Sequence, residues 1–152
     1  MSGTREHLLR DHGLRVTGPR VAVLDAVHEL GGHQDATAIS AAVRAKLGSV
    51  STQAVYDVLD ALTTAGILRR IEPAGSPARY EARVDDNHHH LVCRTCGTMW
   101  DVDCAHGSAP CMEPVNGPAG FVLDEAEVIY WGQCADCQVS ERPAAAAAAP
   151  AA

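Results

Sequence analysis

A chain of 152 residues has room for one medium domain or two small ones, and no apolar run reaches the roughly 18 residues a membrane span requires. The charged start MSGTREHLLRDHG has no apolar core of a secretory signal, so a cytoplasmic location is expected, where six cysteines favour metal ligation or redox chemistry over a disulfide framework. The net charge of -7 does not exclude nucleic acid, because residues 1–83 hold ten Lys or Arg against nine Asp or Glu while residues 84–152 hold two against ten.

The first half reads as helices followed by a hairpin. Thr4 caps a short helix over 4–12, which Gly13 ends. A second helix over 20–30 follows Pro19, carries Val21, Leu24 and Val27 on one face, and stops at Gly31 and Gly32. A third, over 36–47, spaces Ile39, Val43 and Leu47 four apart before Gly48. Ser51 caps a fourth that runs to about 65 and buries Val55, Leu59 and Leu62. Residues 67–71 and 78–81 then read as strands joined by a PAGSP turn. Packed helices followed by such a hairpin predict an α+β chain with an N-terminal winged helix-turn-helix over 1–82.

Residues 83–87 are short and polar, as expected of a hinge. Beyond them, 88–93, 98–102 and 127–131 have strand length and pattern and predict a small antiparallel three-stranded sheet within an α/β unit over 88–139. Three prolines and three glycines between Cys104 and Gly120 argue against a long helix there. From 140 the chain becomes an Ala/Pro tail with nothing to pack, expected to be disordered.

The most specific chemical signal is a pair of Cys-x-x-Cys turns, Cys93/Cys96 and Cys134/Cys137, separated by 37 residues. Four thiolates complete the closed tetrahedral shell of a structural zinc ion, and a sheet this small gains folding free energy from it. A thioredoxin-like role for one pair is the alternative, but neither pair is expected to open a helix after a buried parallel strand. Cys104 and Cys111 lie outside this spacing; they are open to a disulfide, to redox sensing or to no role.

His88, His89 and His90 precede the first turn. On a strand His88 and His90 share one face, and with Glu81 and Asp101 nearby they suit Fe(II), Mn(II) or Zn(II), although histidine runs are often only solvated.

LRVTGPR (14–20), VSTQAVYDVLDALTTAGILRRI (50–71), RYE (79–81), HHHLVCRTCG (88–97) and YWGQCADC (130–137) together resemble the ferric uptake regulator (Fur) family over roughly 7–138. The resemblance implies a homodimeric repressor, not an enzyme, with zinc on the four cysteines and a regulatory Fe(II) or Mn(II) site formed by His33, Glu81, His88, His90 and Asp101. An ion there would tie the two domains across the hinge and fix the spacing of paired recognition helices. Asp at 101, where iron sensors of the family tend to have Glu, implies the peroxide-sensing branch, with His33 and His88 as the exposed imidazoles open to oxidation; an iron- or zinc-responsive repressor without peroxide sensing is the alternative. A third metal site of some iron regulators has little support, because Asn87 and Ser108 stand where ligands would be needed. The segment 103–120 departs from the family's interface helix and resembles a catalase-associated subgroup.

A winged helix of this kind would present Ser51, Thr52, Gln53 and Tyr56 at the N-terminal end of its recognition helix to an inverted-repeat operator. Arg15 fits a narrow A·T-rich minor groove, and Arg20, Arg69, Arg70 and Arg79 are phosphate candidates, although any one of them can equally be ordinary surface. A zinc hydrolase or deaminase would need an open zinc position and a general base, and no H-x-E or H-E-x-x-H motif occurs. A zinc-ribbon adaptor without sensing is the third reading.

Overall fold

The computed structural model describes residues 2–112 and 114–141. Four helices, α1 (Ser2–Asp11), α2 (Gly18–Leu30), α3 (Ala36–Leu47) and α4 (Thr52–Thr64), pack around an apolar core. Their starts are set by short polar side chains. Thr17 accepts from the Arg20 amide with Pro19 in the first turn, Asp35 accepts from Ala38 at 2.8 Å, and Ser51 accepts from Ala54 at 3.1 Å. Each such cap satisfies an amide with no partner inside the helix and stabilises by about 1 kcal/mol.

The expected faces are the buried ones. Leu24 and Val27 from α2, Ile39 and Val43 from α3, and Val55, Leu59 and Leu62 from α4 meet Leu9 and Leu68. Each aliphatic side chain removed from water there contributes about 1.5–3 kcal/mol. Val21 and Leu47 differ from expectation: Val21 packs at the margin and Leu47 is exposed.

The wing is a three-stranded sheet ordered β1–β3–β2, in which β2 (Arg69–Ile71) and β3 (Arg79–Glu81) form the expected hairpin. Its third member, β1 (Gln34–Asp35), was not foreseen, since two residues between helices carry no periodicity. β1 pairs antiparallel with β3, Gln34 with Tyr80 and Asp35 with Arg79, so the next step of the register brings His33 to Glu81.

The second sheet is ordered β5–β4–β6, from β4 (His88–Cys93), β5 (Met99–Asp103) and β6 (Ile129–Gly132). β4 and β5 form an antiparallel hairpin, but β6 runs parallel to β4. The expectation of a wholly antiparallel sheet is therefore corrected at this edge. β5 already ends beside the start of β4, with Asp103 opposite His88, so the 104–128 connection only has to cross to the other edge of β4 for β6 to run parallel to it. One consequence is chemical: β4 and β6 end on the same side, and each is followed by one of the Cys-x-x-Cys turns.

A short helix α5 (Ala135–Glu141) follows β6, so the second Cys-x-x-Cys does open a helix after a strand in parallel pairing, contrary to the sequence expectation. β6 is only half covered, unlike the buried central strand of a thioredoxin-like sheet. The helix takes in residues 140 and 141, expected in the tail; residues 142–152 lie outside the described residues. Among the described residues, no helix is long and apolar enough to cross a membrane.

The two halves are stabilised differently. Among the described residues from 84 onward, the buried ones are His88, His89, His90, Val92 and Cys93. Three imidazoles in so small an interior give little hydrophobic free energy and need partners.

Candidate metal centres

The Sγ atoms of Cys93, Cys96, Cys134 and Cys137 all lie within 4.8 Å of one another. A tetrahedral shell with zinc–sulfur bonds of about 2.3 Å has sulfur–sulfur edges of about 3.8 Å, and Cys96 and Cys134 are 3.8 Å apart. Backbone geometry holds the turns. The Gly97 amide donates to the Cys93 carbonyl at 2.9 Å, Arg94 ties the first turn to Gly132 at 2.8 Å, and the Cys134 amide donates to Cys93 Sγ at 3.3 Å. Amides of Cys134 and Cys96 bring the Cys93 thiol down to about 6, whereas the Cys134 thiol and burial push Cys137 up. Four sulfurs packed this closely do not all ionise on their own; a dication makes four thiolates compatible.

The second centre lies where the wing meets the second sheet. His33 Nε2 is 3.0 Å from Glu81 Oε2 and 2.8 Å from Asp101 Oδ1, and His88 Nε2 is 3.0 Å from Glu81 Oε1. His90 Nε2 stands 3.4 Å from Glu81 and 3.7 Å from Asp101. Of the five residues expected of a regulatory site, His33, Glu81, His90 and Asp101 have ligand atoms within 4.8 Å of one another, and His88 joins them through Glu81, with Asp101 3.8 Å away. His33 and Glu81 come from the helical half through the β1–β3 register; His88, His90 and Asp101 come from β4 and β5.

Buried ring nitrogens of His33 and His90 have no hydrogen-bond partner among the described residues, despite the short distances, because the approaches lack hydrogen-bond geometry. They face a shared space between two carboxylates. Burial pushes Glu81 up, but the ring nitrogens of His33 and His90 and the nearby His88 outweigh it and bring the carboxyl down to about 2. Donors of mixed nitrogen and carboxylate oxygen suit a borderline divalent cation. The residues therefore fit such an ion.

Partners beyond these five were not read from the sequence. Asp86 Oδ1 lies 2.5 Å from His88 Nδ1, fixing the ring so that Nε2 faces inward. Arg83 reaches Asp86, Asp101 and Asp103 at 2.7, 3.4 and 2.8 Å, and Arg79 donates to the His33 carbonyl at 3.4 Å. The only sequence signal for Asp86 is its place two residues before His88.

One expectation is corrected. The resemblance implies that His33 and His88 are the exposed imidazoles, yet their side chains are 4% and 1% exposed. Convergence of five ligands from two units wraps both rings in protein.

The DNA-contact candidates divide. Ser51, Thr52, Gln53 and Tyr56 are exposed along the start of α4, and Arg15 is exposed before α2. Arg20 instead donates to the Arg15 carbonyl at 2.8 Å, Arg69 pairs with Glu125 at 3.1 Å, and Arg70 pairs with Glu72. Arg44 donates to Thr52 at 2.7 Å, linking α3 to α4. Cys104 and Cys111 lie beside His89, with ligand atoms within 4.8 Å of one another.

Comparison with known proteins accords with this arrangement. The model of the ferric uptake regulator family matches residues 11–110. The chain belongs to the ferric uptake regulator family. It is 61% identical over 133 residues to the transcriptional regulator FurA of Mycobacterium tuberculosis, covering 88% of this chain and 89% of that one. It is 55% identical over 137 residues to ferric uptake regulation protein 2 of Mycolicibacterium fortuitum, covering 89% and 93%. Among solved structures, a zinc uptake regulator complexed with zinc and DNA superposes with a TM-score of 0.68 at 22% identity, over 92% of this chain and 94% of that one. The Pseudomonas aeruginosa ferric uptake regulator with manganese gives 0.64 at 23% identity, over 86% and 98%. These superpositions establish the Fur fold. A Cys-rich group and a His/Glu/Asp group able to coordinate metal occur together in this Fur-family chain.

Proposed function

We propose that the chain is a metal-responsive transcriptional repressor that acts as a homodimer and binds inverted-repeat, A·T-rich operator DNA when its interdomain centre holds a divalent cation. The observation that carries this reading is the meeting of His33 and Glu81 from the helical half with His88, His90 and Asp101 from the sheet half. Cys93, Cys96, Cys134 and Cys137 hold structural zinc, and the interdomain residues hold Fe(II) or, in its place, Mn(II) or Zn(II). A cation bound there supplies the positive charge that lets two carboxylates and three neutral imidazoles face one another in a buried space. His33 and Glu81 then keep the wing fixed against β4 and β5, which favours the arrangement of α4 helices that fits DNA.

On the DNA side, Gln53 and Tyr56 are free of the core and aimed outward at the start of α4, where bases and phosphates are read. Arg20 holds the loop that carries Arg15, so Arg20 acts as a positioning residue. Dimerisation has support in an exposed row across the second sheet: Leu91 is flanked by its register partners Trp100 and Tyr130, and these three are 41%, 42% and 49% exposed. A second copy would cover this row.

The iron- or zinc-responsive reading is preferred over peroxide sensing. Two Mycolicibacterium fortuitum relatives are described as ferric uptake regulation proteins, and the burial of His33 and His88 removes exposure as a reason for their oxidation. Asp101 in an oxygen-bearing ligand set is the one feature that favours peroxide chemistry. Anaerobic Fe(II) loading followed by peroxide and peptide mass spectrometry separates the two readings. Unmodified histidines with DNA binding retained support the preferred one, and one added oxygen on His33 or His88 with loss of DNA binding supports the other.

A further inference from the structure

Strand β4 serves two sides. His88 and His90 face the interdomain centre, and His89, between them, faces the opposite side of the sheet. There its Nε2 stands 3.1 Å from Cys111 Sγ, and the ligand atoms of His89, Cys104 and Cys111 all lie within 4.8 Å of one another. His89 is 4% exposed, and its Nδ1 has no hydrogen-bond partner among the described residues. An imidazole this buried, with a thiol as its one hydrogen-bond partner among the described residues beside an edge contact with the Tyr130 ring, is a costly arrangement unless something else satisfies it.

Cys104 opens a tight turn that, like the first Cys-x-x-Cys turn, closes on a glycine of positive φ, although it closes three residues on where the Cys93 turn closes four residues on. The Gly107 amide donates to the Cys104 carbonyl at 3.3 Å with Gly107 at φ 68°, and the His106 amide donates to Cys104 Sγ at 3.4 Å. At Cys93 the closing amide is that of Gly97, at φ 72°, and the amide on Sγ comes from Cys134 of the other turn. Asn87 anchors the loop by donating to the Ser108 carbonyl at 2.8 Å. Asn87 and Ser108, which offer no metal ligand, thus deliver the two thiols to His89.

We propose that His89 Nε2, Cys104 Sγ and Cys111 Sγ form a third cation site, for a soft or borderline divalent ion of which Zn(II) is the first choice. One nitrogen and two sulfurs suit a thiophilic ion, in contrast to the nitrogen and oxygen donors across the strand. Three protein ligands leave a fourth position for water, so this site exchanges its ion more readily than the closed four-cysteine shell. Both thiols give up their protons on binding. The ion staples the 104–111 loop to β4, a segment that otherwise buries no apolar side chain. This assignment does not depend on the repressor reading.

Cobalt(II) distinguishes the centres, because only thiolate ligands give an intense near-ultraviolet charge-transfer band. The reduced full-length protein, with zinc in its four-cysteine site, is titrated anaerobically with Co(II). The expected result is a thiolate band with the intensity of one cobalt per chain, which persists in His90→Ala and disappears, together with one bound cobalt, in the Cys104→Ser/Cys111→Ser double variant. A double variant that keeps both band and cobalt, or an unaltered protein with no band, overturns the proposal. A second measurement needs no variant: zinc at about ten times its dissociation constant slows alkylation of Cys104 and Cys111 about tenfold, read by peptide mapping. Equal rates with and without zinc overturn the proposal as well, as does finding the two cysteines joined in a disulfide in the freshly reduced protein.

Discussion

His90 and Asp101 face each other as register partners across β4 and β5, and Asp101 Oδ1 also lies 2.8 Å from His33 Nε2. One carboxylate therefore touches ligands from both halves of the chain. The hairpin fixes its distance to His90; the β1–β3 pairing fixes the approach of His33. Neither half makes the centre alone, which is why its occupancy can report on how the halves are arranged.

Asp86 tests how the centre is held from outside. Asp86→Asn removes the anionic partner of His88 Nδ1 while keeping its shape, and Mn(II) affinity is expected to fall about 10-fold or more. Asp103→Asn, which also loses an Arg83 contact but does not touch His88, leaves affinity unchanged. Titration calorimetry on the zinc-containing protein reads both.

Cys96→Ser opens the four-sulfur shell. The expected outcome is one zinc ion fewer per chain and a lower melting temperature for the second sheet, because so few apolar residues are buried there. A loss of about 2 kcal/mol would lower the melting point by about 8–16 °C in a domain of this size. Unchanged zinc content and an unchanged melting point would remove the structural role assigned to this residue.

Trp100→Asp places a charge in the exposed row with Leu91 and Tyr130. If a second copy covers that row, the dimer dissociation constant rises at least about 30-fold, equivalent to losing a hot-spot aromatic worth about 2 kcal/mol. Sedimentation velocity across a concentration series checks it, and a dimer of unaltered strength would place the interface elsewhere.

The helical half was legible because its signals are local. Pro19 and Ser51 mark helix starts, Gly31 and Gly48 stop, and Leu59 and Leu62 recur at helical spacing, whereas the caps Thr17 and Asp35 came only from the structure. The four cysteines were legible for the same reason, two fixed turns with a known chemistry. What stayed hidden is long-range. Nothing local shows that Gln34 and Asp35 join the wing, that β6 runs parallel to β4, or that His89 meets Cys104 and Cys111. The ligands of the interdomain centre were named through family resemblance, since His33 and Asp101 stand 68 positions apart in the sequence. Their burial could not be read at all, because it depends on how two units close on each other.

Gln53 addresses sequence reading directly. Gln53→Ala leaves α4 intact, since the side chain is exposed and its hydrogen bond, 2.7 Å to Asp57, lies one turn along the same helix. Affinity for a duplex selected from a random pool is expected to fall by about 1–3 kcal/mol, the usual worth of a base contact, with Mn(II) binding unaffected. An equal loss on unrelated duplexes would instead mark Gln53 as a backbone contact.

The coupling of ion to DNA is tested most directly by fluorescence anisotropy of that selected duplex, titrated with protein in the presence and absence of Mn(II), for the unaltered chain and for His90→Ala. The account predicts that Mn(II) tightens binding by the unaltered chain within the roughly 5–150-fold range of allosteric coupling, while His90→Ala, folded and zinc-containing, binds weakly with or without it. DNA affinity that ignores Mn(II) in the unaltered chain, or a full response in His90→Ala, would contradict it.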